Sequence, residues 1–242
     1  MNKLYKILLF LVVLLLLYNK GYSQYYILPQ KYDFETWNAI NLKCKINKNW
    51  DVKLEEQLRF KTYSTEFDRF LTQIEVKYNP NNKKIENFDF GFGLRHIFAN
   101  DNIGKIQEYE NHYRFHLDIS HKFKKNNFRF KHRLRFQRKK EFEKNEQKIY
   151  YPSMDLRLKG YVIYKIKDWK LDPEISWEFF LHNEIGELNN FTKHRIGIGT
   201  DYDINKKQKI SISLIKEGEV KVWDAKTIFI LSIKYNYTFK LK

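Results

Sequence analysis

The sequence predicts an all-β protein: a single antiparallel transmembrane β-barrel of about 12 strands, with 10 as the alternative count. Three observations carry that prediction. An export leader opens the chain, polar and apolar residues alternate with period two over nearly everything that follows, and aromatic residues gather at both ends of the alternating segments.

The leader comes first. Residues 1–23 place Lys3 and Lys6 ahead of an unbroken apolar run from Ile7 to Leu17, and Gly21, Tyr22 and Ser23 follow. A basic start, a short apolar centre and small residues at the −3 and −1 positions describe a secretory signal peptide cut before Gln24. An apolar run of about eleven residues is too short to span a bilayer as a helix. Cleavage removes three lysines and no acid, which lowers the formal charge from +16 to +13. Residues 24–242 then form the barrel. They contain no apolar stretch long enough for a membrane helix, and charged residues make up 31% of the chain, which excludes a helical membrane protein. A barrel tolerates that charge because half of every spanning strand is polar.

The alternation is clearest after Trp50. Trp50, Val52, Leu54, Leu58 and Phe60 share one face, and Asp51, Lys53, Glu55, Gln57, Arg59 and Lys61 share the other. A helical template mixes the two sets. Phe70 to Tyr78, Phe88 to Leu94, Tyr113 to Ile119, Phe128 to Phe136, Leu156 to Tyr164, Leu171 to Leu181 and Phe229 to Leu241 repeat the pattern. Strands of roughly ten to thirteen residues suit a tilted membrane crossing and are long for a soluble sandwich. Glu56 is the misfit: it falls mid-strand on the apolar face, where it either meets a neighbouring subunit or marks a slip in register.

The connections come next. Compact Asn/Lys turns are expected at Asn47–Asn49, Asn79–Lys84, Lys124–Asn127, Lys167–Asp168 and Asn205–Gln208. Longer polar links are expected around Ser64 and at Asn100–Gln107, Lys139–Lys148, Asn183–Asn190 and Glu217–Asp224. This describes short periplasmic turns and longer extracellular loops. Trp50, Tyr78, Phe88, Phe123, Phe128, Tyr164, Trp169 and Tyr202 stand near the turns; Phe60, Phe98, Tyr109, Phe136 and Phe179 stand near the loops. Two belts of amphipathic rings suit two membrane–water interfaces. About eleven strands are clear, and Tyr25–Leu28 as a weak extra strand brings the even count of twelve.

The segment Phe34-Glu35-Thr36-Trp37-Asn38-Ala39 leads through a strand to Asn47-Lys48-Asn49-Trp50, followed by Glu55-Glu56-Gln57-Leu58-Arg59-Phe60. With the later Arg133-Leu134-Arg135-Phe136, this resembles the outer-membrane barrel family known as domain of unknown function 2490, found in Gram-negative bacteria. The resemblance covers residues 33 to 242. It implies a barrel and an outer-membrane address, and it implies no activity.

Candidate chemistry is sparse. Lys122 to Lys140 is strongly basic with interleaved Phe, a composition that also serves nucleic acid. Alternation places the cations at 129, 131, 133 and 135 on one strand face, and an exported protein does not meet nucleic acid, so no nucleic-acid partner is expected. The lumen-facing basic candidates are Arg59, Arg114, Arg129, Lys131, Arg133, Arg135, Arg157 and Arg195, with Lys53 and Lys193 beside them. An excess of inward cations concentrates small anionic solutes. His116, Asp118 and Ser120 share one face, but four strand residues separate His116 from Ser120 by about 13 Å, which is out of hydrogen-bond reach. The same spacing keeps His112 and His116 from one metal ion. No catalytic residue, metal or cofactor is assigned. The single Cys44 excludes an internal disulfide and is read as inert on an outer strand face. Outer-membrane lipid and lipopolysaccharide are the expected surroundings, with Lys139 and Lys140 at a rim. The leading reading is a passive, porin-like channel with a cationic lumen. The alternatives are a closed barrel acting through its loops and a barrel-embedded lipid hydrolase.

Overall fold

Eleven strands close into a barrel in the computed structural model, which describes residues 31–83, 85–103, 106–142, 153–167, 169–183, 190–220 and 225–241. They are β1 (Lys31–Lys45), β2 (Trp50–Lys61), β3 (Glu66–Tyr78), β4 (Phe88–Ile103), β5 (Ile106–Lys125), β6 (Phe128–Phe142), β7 (Ser153–Tyr164), β8 (Leu171–Asn183), β9 (Asn190–Asp203), β10 (Gln208–Glu219) and β11 (Lys226–Lys240). Each pairs antiparallel with its neighbour in sequence. The expected signal peptide and Tyr25–Leu28 lie outside the described residues.

The count of eleven corrects the expected twelve and the alternative ten. With an odd number, the first and last strands run in the same direction, so the seam is a parallel pair. It runs in unbroken register from Lys31 opposite Lys226 to Lys45 opposite Lys240. The barrel is therefore antiparallel except at this seam. Hydrogen bonding β1 directly to β11 uses the free edge of each strand and leaves no edge for a twelfth.

Links at one end span residues 46–49, 79–87, 126–127, 165–170 and 204–207, and at the other 62–65, 104–105, 143–152, 184–189 and 220–225. The difference in loop length is smaller than expected, because much of what reads as loop continues as strand. Asn100–Ile103 extends β4, and β5 reaches 20 residues. Charged residues there are compatible with strand once paired across a long hairpin. Lys124 and Lys125 likewise complete β5, leaving Asn126 (φ 53°) and Asn127 as the turn.

The link after β2 is tight. Thr62, Tyr63 and Ser64 all take left-handed backbone, with φ of 54°, 54° and 63°. Successive residues of this kind are costly and need outside support. Asp33 supplies it: the amides of Thr62 and Tyr63 donate to its carboxylate at 3.3 and 2.9 Å. Lys226 donates to the same carboxylate at 2.9 Å, so one acid ties β1 to β11 and to the link.

Side-chain polarity is inverted relative to a soluble protein. Leu117, Ile198 and Leu214 are more than half exposed on the outer wall, whereas Gln73, Arg135 and Glu178 are buried inside. Ile40, Leu42 and Cys44 share outward parity on β1. Leu71, Ile97 and Ala99 form a small apolar cluster on the inner wall. Glu56 faces outward without any slip, continuous in register between Ile40 and Thr72, and accepts a hydrogen bond from Thr72 Oγ1 at 2.8 Å.

Candidate functional site

Eleven strands about 4.8 Å apart and tilted by about 40° enclose a backbone cylinder of roughly 11 Å radius. Long side chains project inward from opposite walls and crowd that width. A cavity of about 620 Å³ remains, and its wall holds fifteen Lys and Arg against five Asp and Glu.

Arginines and acids cross-brace this wall. On β5 and β6, Arg135 donates Nε and Nη2 to the two oxygens of Asp118 at 2.7 Å each. Glu75 lies 3.7 Å from Arg135 and 3.5 Å from His116. His116 fits because β4 carries glycine beside it; a Cβ on Gly93 would stand 2.2 Å from its ring. Glu178 accepts from Arg157 at 2.7 and 3.1 Å and from Arg133 at 3.2 Å, and Arg195 approaches it at 3.5 Å. Arg195 also donates to Glu217. Arg95 donates to Gln73 at 2.7 Å and to Glu55 at 3.3 Å, and Glu55 also accepts from Lys53 at 2.6 Å.

Above this network, toward residues 62–65, arginines stack on rings. The Arg59 guanidinium lies 3.7 Å from the Trp37 ring centre, and Arg195 lies 4.8 Å from it. Arg157 and Arg195 sit 4.5 and 4.7 Å from Phe180. Trp37 Nε1 donates to Glu35 at 2.8 Å. These groups lie seven to nine residues along their strands from the short-turn end, at similar depth on the cavity wall.

Of the basic residues singled out in the sequence, Arg59, Arg114, Lys131, Arg133, Arg135, Arg157 and Arg195 line the cavity, as do Lys53 and Lys193. Arg129 does not; it pairs with Asp172 at 2.8 Å near the 126–127 turn. Arg69, Lys77, Arg95, Lys139, Lys159 and Lys234 also line it, together with Trp37 and Phe180. Their parity on alternating strands was the available signal. Asp68 had none: a bulge opposite Arg59 and Phe60 turns it inward beside Arg69, to which it is bonded at 2.7 Å.

Glu75, His116 and Asp118 place ligand-type atoms within 4.8 Å of one another. Arg135 already occupies both Asp118 oxygens, with Arg133 at 3.9 Å, so that carboxylate is neutralised by guanidinium. Among the described residues no hydrogen bond joins His116 to Ser120. The side chain of Lys140 lies outside the described residues.

The chain belongs to the family described as "Protein of unknown function (DUF2490)", which matches residues 34–217. No curated protein matches it. Among solved structures it is similar to the β domain of the Bordetella autotransporter BrkA, with a TM-score of 0.49 and 11% identity, covering 80% of this chain and 85% of that one.

Proposed function

We propose that the protein is an outer-membrane barrel serving as a passive channel for small anionic solutes through a cationic lumen. The apolar outer wall supports the membrane address, since exposed Ile, Leu and Phe cover it while most charged strand residues are held inside. The observation that carries the function is the threefold excess of Lys and Arg over Asp and Glu around the cavity. Inside low-dielectric walls such an excess raises the local anion concentration and opposes cations.

The test is conductance of the refolded protein in a planar bilayer under a salt gradient, with folding checked by the gel shift between unboiled and boiled samples. Anion-selective steps that lose selectivity in Arg114→Gln and Arg133→Gln are expected. A folded barrel that stays silent overturns the channel. One observation favours a second reading, a closed barrel working through its loops: Trp37 and Phe180, clamped by Arg59, Arg157 and Arg195, line the cavity at similar depth.

A further inference from the structure

Not every lumen cation is committed to the bracing network. Lys131 on β6, Lys159 on β7 and Lys234 on β11 line the cavity, and among the described residues none of their ammonium groups makes a hydrogen bond or an ion pair. They lie between three and six residues from the short-turn ends of their strands, below the arginine–aromatic layer. Tyr161 stands among them, its ring centre 4.7 Å from Lys159 Nζ and 5.7 Å from Lys131 Nζ. Lys234 lines the same cavity from β11, four strands round the wall from β7.

Among the described residues no acid forms an ion pair with them. Glu178 is engaged by Arg157, Arg133 and Arg195, and Glu55 by Lys53 and Arg95. Glu174, inward on β8, is within electrostatic reach of all three lysines, and no ion pair joins it to them. Three ammonium groups, none with an ion pair of its own, share a confined space, which favours an anion there.

We infer that Lys131, Lys159 and Lys234, with the Tyr161 hydroxyl, form a binding site for a small phosphate-class oxyanion in the short-turn half of the lumen. Each ammonium is a compact charge with three rotatable donors, suited to the several oxygens of a phosphate, whereas Arg59, Arg95, Arg133, Arg135, Arg157 and Arg195 are spent on carboxylates and rings. The inference deepens the cationic-lumen reading and rests on it.

The experiment is calorimetric titration of inorganic phosphate and pyrophosphate into the refolded full barrel in detergent, in chloride buffer, run beside the conductance measurement. Saturable binding is expected, with pyrophosphate the tighter ligand. Lys159→Gln or Lys234→Gln should each weaken it by about tenfold, as the loss of one charge-assisted bond does. Glu174→Gln removes the repelling carboxylate and should tighten binding, an effect that general damage to the fold does not produce. Lys216→Gln, on the outer wall between Ile196 and Phe229, should leave binding unchanged. Absence of binding, or equal affinity in the two lysine variants and the parent, overturns the site. A barrel that conducts chloride without binding phosphate loses this inference alone; one that binds phosphate but stays silent loses the channel and keeps the site.

Discussion

Arg135 and Asp118 sit directly opposite each other on β6 and β5 and join through two parallel hydrogen bonds of 2.7 Å, both side chains buried. A planar guanidinium matches both carboxylate oxygens at once, which a lysine does not. Removing one partner leaves the other charge buried and without both of these hydrogen bonds. Asp118→Ala or Arg135→Ala is expected to destabilise the barrel by about 3–5 kcal/mol. The double variant should lose less than the sum of the two, read by urea unfolding of the refolded protein. Additive losses would show that the pair is not coupled.

On the outer wall Trp177 lies across Gly160, where a Cβ would come within 2.2 Å of the indole ring. Gly160→Ala must displace that ring, at a cost of about 1–3 kcal/mol, the usual penalty of overpacking. A shift in tryptophan emission should accompany it. Trp177→Ala in the same chain should recover part of the loss, and an unchanged spectrum in the single variant would contradict the packing described.

Trp37 lines the cavity between the guanidinium groups of Arg59 and Arg195. Trp37→Ala should raise single-channel conductance while leaving the sign of ion selectivity unchanged, because the cations stay in place. Unaltered conductance would place the constriction elsewhere.

Glu56 stands on the outer wall with Leu54 and Leu58 before and after it on the same face and with Thr72 as its hydrogen-bond donor. In a lipid environment the acid is a cost of about 1–2 kcal/mol, less than a mid-depth Arg or Lys. Glu56→Leu should therefore stabilise the isolated barrel in lipid vesicles by about that amount. Destabilisation would show that the carboxylate meets a protein partner there.

Much of this was readable from residue order. In an extended strand successive side chains point to opposite faces, so Arg133 and Arg135 are separated from Leu134 and Phe136 by local geometry alone. The same rule reaches Lys159 beside Leu158 and Lys234 beside Ile233. Turns such as Asn126–Asn127 are local too, because Asn accepts the left-handed backbone the turn requires. Loop lengths were less legible, since Asn100–Ile103 and Lys139–Phe142 become strand only through pairing with β5.

The sequence by itself determined that this protein is built of long alternating strands with one basic, polar face and one apolar face, because that pattern depends only on neighbours a few residues apart. The tertiary structure decided what depends on distant contacts. The eleventh strand closes in parallel on the first because residues 31–45 and 226–240 meet across nearly the whole chain. Asp68 turns inward only because a bulge forms against β2. Which lumen cations are spent follows from side chains that meet across several strands, as Arg195 does with Trp37. Backbone periodicity encodes a side chain's face; only closure of the cylinder sets its partner.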